Sequence, residues 1–285
     1  MQRDCDRVIH PSNKTQWLAI MVGYLAYKAL CLEVRTFPKP GLVSHRDNGA
    51  HRDMDCALLE KSAATLEPFF RRFYQAGRLN ATMDELRYIG LQAEKTMLHA
   101  TGGINTHRGA IFSMGLISAA YGWRQRYLKK QRRLGSIIAE RWGKAIIDGP
   151  VIATSHGHQA ARKYGAGGAR LEAACGFPTI YDIGLPELEK ARYLNDCPEA
   201  QRVHVTMALL TQMEDTNLLH RGGLEGMQFA QNSAQAFLKN GSIGVKDWLD
   251  SAQKIHRIFI ARNLSPGGVA DMLAATLFIN FLEKA

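Results

Sequence analysis

Residues 82–100 read "TMDELRYIGLQAEKTMLHA". Leu86, Ile89, Ala93 and Met97 recur every three or four positions, which places them on one face of an α-helix. Thr82 stands just before the run and Glu85 three residues after it, the pair that forms a capping box. The same period extends outward in both directions. Residues 15–34 carry Leu18, Met21, Leu25, Ala29 and Leu32, a stripe expected to be buried, and the run stops short of Pro38. Residues 57–76 are helical in pattern, with Pro68 expected to kink or divide them. Residues 108–121, 134–148, 199–219, 224–238, 245–262 and 266–283 repeat the pattern. Strand alternation is almost absent and the βαβ rhythm of a parallel sheet is missing, so the chain reads as an all-α, multi-helix bundle. No composition shift marks a linker and there is no internal repeat. The simplest organisation is one domain over 1–285, with 1–14 as a candidate flexible N-terminal segment.

Composition sets the outer bounds. The 285 residues are 46% hydrophobic, enough for a substantial core, and carry a net charge of +10 with pI ≈ 9.5. A basic chain favours anionic partners, whether nucleic acid, membrane or phosphorylated small molecules, without choosing among them. The cysteines Cys5, Cys31, Cys56, Cys175 and Cys197 are scattered and form no CxxC, which argues against a zinc site or disulfide framework and fits a reducing compartment. The N-terminus has no apolar signal core. The apolar stretches 17–32 and 269–282 fall short of a membrane span. A soluble, cytoplasmic protein is expected.

Between the helical runs lie polar, glycine-rich segments: "PKPGLVSHRDNGAHRDMD" (38–55), "TGGINTHRGAIF" (101–112), "YGAGGARLEAACGFP" (164–178), "EDTNLLHRGG" (214–223) and "NLSPGGVAD" (263–271). Glycine lets backbone approach a ligand and helix N-termini favour anions, so the five together suggest one composite, phosphate-rich pocket. Within the first, His51, Asp53 and Asp55 can supply a general base or a carboxylate pair for Mg²⁺. Asp53 or Asp55 can equally cap the helix that follows, and the two roles can coexist. "NTHRG" (105–109) opens a helix, as a phosphate site with Arg108 or as a plain capping turn.

Other signals are weaker. "GAGGAR" (165–170) is not GxGxxG and follows no strand, and there is no Walker A lysine motif. "RQRYLKKQRR" (124–133) could be a nucleic-acid patch but reads better as a solvated connection, having one aromatic residue. "SHGH" (155–158) lacks a neighbouring Cys or carboxylate and reads as loop rather than metal site. HExxH and a nucleophile elbow are absent.

Taken in order, "PKPGLVSHRDNGAHRDMD", "TGGINTHRGAIFSMG", "GARLEAACGFP", "DTNLLHRGG" and "LSPGGVADML" resemble the triphosphoribosyl-dephospho-CoA synthase family, from about Glu33 to the C-terminus. The resemblance implies an all-helical transferase that takes ATP and 3′-dephospho-CoA. It would release adenine and join the ribose C1 of the triphosphoribosyl group to the 2′-hydroxyl of the acceptor. The product would be the prosthetic-group precursor for an acyl-carrier subunit of citrate lyase or malonate decarboxylase, attached later by a separate holo-acyl-carrier transferase. Arg108 stands where lysine is common in that family, keeping charge but not shape.

That reaction assigns roles as expectations. Phosphate and substrate binding falls to Lys39, Arg46, Asn48, Asn105, Thr106, His107, Arg108, Gly109, Arg170, Arg221, Gly222, Gly223, Ser265, Gly267 and Gly268. Mg²⁺ accompanies ATP, with Asp53, Asp55, Asp215 and Asn217 as metal candidates. His51 is the first choice of base and Glu33 the second. Glu94 and Glu172 are candidates to stabilise a ribosyl cation. Competing readings are an all-helical Mg²⁺-dependent nucleotide hydrolase and a basic nucleic-acid binder. The expected partners are ATP and dephospho-CoA, with no nucleic acid or membrane, and the many helices suit a homo-oligomer of unspecified stoichiometry.

Overall fold

The computed structural model describes residues 13–128, 132–150, 163–165 and 167–285. Among them are eleven α-helices and no strand: α1 (Asn13–Val34), α2 (Cys56–Arg78), α3 (Met83–Ala100), α4 (Arg108–Tyr127), α5 (Leu134–Asp148), α6 (Gly168–Ala174), α7 (Leu185–Leu194), α8 (Pro198–Gln212), α9 (Thr216–Lys239), α10 (Trp248–Ala261) and α11 (Gly267–Lys284). One π-helical turn, Thr179–Gly184, leads into α7, and a 3₁₀ turn, Ser242–Gly244, precedes α10. The all-α reading holds.

α4 and α11 are the axis of the fold. α4 is buried on most sides, from Ala110 through Gly122, and α11 from Val269 to Leu282. A helix that is apolar all round needs neighbours all round, and α4 has them in α2, α3, α5 and α11. α2 and α4 touch backbone to backbone: a Cβ on Gly77 would lie 1.9 Å from the Ala119 carbonyl oxygen, and one on Gly122 2.1 Å from that of Tyr74. Phe70 of α2 meets Phe278 of α11 at 6.5 Å between ring centroids, joining the two layers.

α3 begins as its sequence dictates. Thr82 accepts the Glu85 backbone N–H at 3.3 Å, and Glu85 accepts the Thr82 backbone N–H at 2.7 Å. Other expectations need correction. α2 runs unbroken through Pro68, because Ala64 and Pro68 both lie on the exposed face, where the carbonyl freed by proline meets water. The buried face of α1 centres on Ala19, Val22, Ala26, Ala29 and Leu30, while Leu18, Met21, Leu25 and Leu32 pack along its flank. The 199–219 run is two elements: α8 ends at Gln212, and α9 starts at Thr216 and continues through a break at Gly223 (φ 62°), so 214–223 is mostly helix rather than loop. Residues 164–178 likewise contain α6.

The stretch Lys14–Val34 is long and apolar enough to cross a membrane by length and composition, which the shorter apolar run had not suggested. Half of it is buried against the rest of the fold, as in a core helix. Cys31, Cys56, Cys175 and Cys197 are all free. "SHGH" lies outside the described residues. In the basic run, Arg124 is buried and bonds Glu283 at 2.7 Å, and Arg132 pairs with Glu140. Arg133 lies over the Tyr181 ring.

Candidate functional site

The N-termini of α4, α9 and α11 meet, and one carboxylate ties two of them. Asp215 is the N-cap of α9: Oδ1 accepts the Asn217 and Leu218 amides at 2.8 and 3.1 Å. Its Oδ2 accepts the Val269 amide of α11 at 2.9 Å, and Gly268 adds a further backbone N–H. Asp215 is 1% exposed, and burial pushes its pKa up against the pull of those amides. Gly268 packs against that carboxylate and Gly267 against the Asn217 amide. On the other side of α11, Asp271 faces the start of α4. A Cβ on Gly109 would sit 1.9 Å from Asp271 Oδ2, so any larger residue there would push the carboxylate aside. Burial, then the charges of Glu33 and Asp215, hold the Asp271 carboxyl well above the usual range, while the Ala110 amide opposes them.

Against this junction lies a buried ion pair. Glu33, at the end of α1, bonds Lys39, which is 1% exposed. Burial raises the Glu33 pKa and lowers that of Lys39, and each charge sustains the other. His107, the N-cap of α4, is buried beside them. Its Nδ1 contacts Ser62 Oγ at 2.8 Å, and Ser62 in turn contacts Thr106 Oγ1 at 2.7 Å. Nε2 of His107 has no hydrogen-bond partner among the described residues. Burial and then Lys39 push the pKa of His107 down to about 4, so the ring is neutral at pH 7.

The 38–55 segment covers the junction. His51 Nε2 meets Ser265 Oγ at 2.8 Å, and Arg221 Nη2 lies 3.3 Å from its Nδ1. A guanidinium can only donate, so Nδ1 accepts and Nε2 carries the proton toward Ser265. Burial and Arg221 lower the His51 pKa, with Asp53, 3.6 Å from Nδ1, opposing them. Arg221 also donates to the Ala50 carbonyl and to Asn263 Oδ1, both at 3.0 Å. Gly222 packs on Leu264, and Gly223 is the break in α9.

Other expected residues are placed elsewhere or otherwise engaged. Asp55 caps α2, accepting the Leu58 amide at 2.8 Å. Asp53, Arg46 and Asn48 are exposed. Asn105 accepts the Arg108 amide at 3.2 Å, and Arg108 pairs with Glu94. Arg170 donates to the carbonyls of Ile146, Ile147, Gly149 and Pro150, closing the C-terminus of α5. Glu172 accepts the Thr179 amide at 2.8 Å, and burial raises its pKa. Gly168, at the start of α6, lies near Thr216, so this fifth segment borders the junction. Among the described residues no three His, Cys, Asp or Glu side chains gather as a metal cage.

Sequence reasoning missed four residues. Ser62 lies mid-helix and gave no signal. Asp271 stands inside a quoted segment, but only its contact with Gly109 marks it. Asp47 and His256 pair across 209 positions: His256 Nε2 contacts both Asp47 carboxylate oxygens at 3.0 and 3.1 Å. Its Nδ1 lies 2.6 Å from the Lys39 carbonyl oxygen, so His256 anchors the segment from below.

With this geometry in hand, comparison with known proteins is specific. The family profile described as CitG, ATP:dephospho-CoA triphosphoribosyl transferase, matches residues 21–285. A 2-(5''-triphosphoribosyl)-3'-dephosphocoenzyme-A synthase of Escherichia fergusonii is 38% identical, over 96% of this chain and 95% of its own length. A probable synthase of the same name from Pseudomonas paraeruginosa is 38% identical over 92% of this chain and 90% of its own. One from Vibrio cholerae is 36% identical over 94% and 90%. No solved structure matches.

Proposed function

This chain belongs to the ATP:dephospho-CoA triphosphoribosyl transferase family, and from that premise we propose how its own residues carry the reaction. The enzyme moves the triphosphoribosyl group of ATP to the 2′-hydroxyl of 3′-dephospho-CoA and releases adenine. The bond from ribose C1 to adenine nitrogen breaks and a bond from C1 to the acceptor oxygen forms. A proton leaves the hydroxyl, and the departing adenine takes one up. The transition state resembles an oxocarbenium ion, as in glycoside chemistry.

The observation that carries this reading is the meeting of three helix N-termini beneath Arg221. Asp215 takes the first amides of α9 and α11, so the triphosphate would meet the start of α4 and the Arg221 guanidinium. His51 is the base in this proposal. Its lowered pKa keeps the ring neutral at pH 7, Nδ1 takes the hydroxyl proton once Arg221 turns from it to phosphate, and Asp53 stands close enough to stabilise the imidazolium. Glu33 and Asp271 supply carboxyl groups beside the junction: Glu33 as negative charge toward the ribosyl cation, Asp271 in its protonated form as donor to adenine. Asp215 positions the junction, since backbone amides occupy its oxygens. Arg170 and Glu172, tied to local backbone, support the neighbouring elements rather than meeting substrate.

Mg²⁺ enters this proposal with ATP. Such ions commonly use one or two protein carboxylates plus substrate phosphates, which fits a chain with scattered carboxylates and no three-ligand cage among its described residues. Exposed Asp53 is the carboxylate best able to support it, and the ion's contribution is to offset phosphate charge. We also propose a cytoplasmic enzyme whose product feeds a separate acyl-carrier transferase, serving citrate lyase or malonate decarboxylase.

The test incubates the protein with Mg²⁺, ATP and 3′-dephospho-CoA and resolves products by chromatography and mass spectrometry. Free adenine together with a triphosphoribosyl adduct is expected. Adenine without adduct would instead identify a nucleotide hydrolase. No adenine from folded, ATP-binding protein would overturn the reading.

A further inference from the structure

The 38–55 segment has a second wall. Phe37, His45, Arg46 and Asp47 line a groove of about 630 Å³, closed on the other side by Trp248 and Arg257 of α10. None of His51, Arg221, Ser265, Asp215 or the glycines at the helix junction lines it. The groove is therefore distinct from the triphosphate end of the proposed site, yet the two share a wall. His256, in the groove floor, contacts Asp47 through Nε2, and its Nδ1 lies against the Gly41 amide and the Lys39 carbonyl. Lys39 in turn bonds Glu33 beside the junction.

The chemistry of the groove fits a pyrophosphate carrying an apolar arm. Arg46 and Arg257 are both exposed and have no side-chain hydrogen bond or ion pair among the described residues, whereas the anions alongside are engaged. Asp47 is held by His256, and Glu199 accepts the Phe37 amide at 2.9 Å. Two uncommitted guanidiniums suit a pyrophosphate, which each can grip through paired N–H donors. Phe37 and Trp248 offer aromatic surface for a base or an apolar arm. Pockets of about 300–1,000 Å³ take ligands of this class.

Resting on the transferase reading above, we propose that this groove binds the pyrophosphate and pantetheine arm of 3′-dephospho-CoA, with Arg46 and Arg257 on the pyrophosphate and the adenosine ribose extending over the 38–55 segment toward His51. ATP then occupies the helix junction. The 38–55 segment forms the rim between the two sites, over which the acceptor ribose reaches the junction, and His256 fixes that rim. Holding two substrates in register in this way converts a bimolecular step into an effectively unimolecular one.

The experiment compares wild type with Arg257→Ala and Arg46→Ala, both changes at exposed positions that leave the core intact. Calorimetric Kd and steady-state KM are measured separately for 3′-dephospho-CoA and for ATP with Mg²⁺. Loss of a charge-assisted contact should weaken dephospho-CoA by about tenfold or more in each variant and leave ATP within about twofold. Equal weakening of both substrates, weakening of ATP alone, or no change in either would overturn the assignment. The two readings fail separately. Wild-type protein that binds dephospho-CoA but forms no adduct would sink the transferase reading. Wild-type protein that forms the adduct, with both variants unaffected, would sink the groove alone.

Discussion

Two helix caps in this molecule use the same chemistry at opposite ends of legibility. Thr82 caps α3 at the surface with a partner three residues away. Asp215 caps α9 in the interior and also takes amides from α11, more than fifty residues on. The first is a local device that stabilises one helix. The second joins two helices and so builds a site. A buried carboxylate that satisfies amides from two elements makes the position of each depend on the other, and that dependence is what a composite phosphate site requires.

Removing the buried cap should have the largest effect. Asp215→Ala leaves the amides of Asn217, Leu218, Gly268 and Val269 without their acceptor. The expected loss, read by urea denaturation, is about 3–5 kcal/mol, with activity abolished. Asp215→Asn, which keeps an acceptor, should fall between. A loss of Mg²⁺ dependence in Asp215→Asn without loss of stability would make this residue a metal ligand instead and break the comparison.

The second test uses pH at the same junction. Burial holds His107 at about 4 in the folded protein, against 6.5 for an ordinary histidine. The unfolded chain therefore binds more protons between those values, and the fold loses stability as pH drops through that window. The contribution is on the order of 3 kcal/mol. Urea midpoints at pH 7.5, 5.5 and 4.5 should fall in that order, and His107→Gln should flatten the fall. An unchanged slope in that variant would assign the acid sensitivity to other groups.

The surface cap should matter less. Thr82→Ala is expected to cost about 1 kcal/mol in the same denaturation assay and to leave KM for both substrates unaltered. Any catalytic effect would mean that α3 is coupled to the site more tightly than its exposed start implies.

Asp53 gives the smallest structural effect and the sharpest functional one. Being exposed, Asp53→Asn should change stability by less than about 0.5 kcal/mol. Turnover should fall and the Mg²⁺ concentration for half-maximal rate should rise. Asp55→Asn keeps the cap on α2 and serves as its control. If both variants retained wild-type turnover and Mg²⁺ dependence, neither carboxylate would touch the ion.

Sequence reading went furthest where structure is local. The start of α3, the limits of α5 and the all-helical class follow from 3.6-residue periodicity and capping chemistry. It went astray where neighbours decide. Pro68 reads as a break, but its freed carbonyl faces water and the helix continues. The stripe through Leu18 and Leu25 reads as the core face of α1, yet the tightest packing selects Ala19, Val22 and Ala26, because small residues let helices approach. Residues 214–223 read as a loop because glycines mark turns, although from Thr216 onward only Gly223 departs from helix.

The site divides in the same way. Five ordered polar segments were enough to point to the family, and His51, Lys39, Asp215 and Arg221 stand among the residues the junction brings together. Their mutual arrangement was not in the sequence. Asp271 became visible only through Gly109, Ser62 only through His107, and His256 only through Asp47. The linear chain determined which helices form and which chemistry each connection carries, since both depend on residues a few positions apart. The packing of α4, α9 and α11 decided which of those groups share a buried volume, because burial and pairing depend on distances in space that no local spacing encodes.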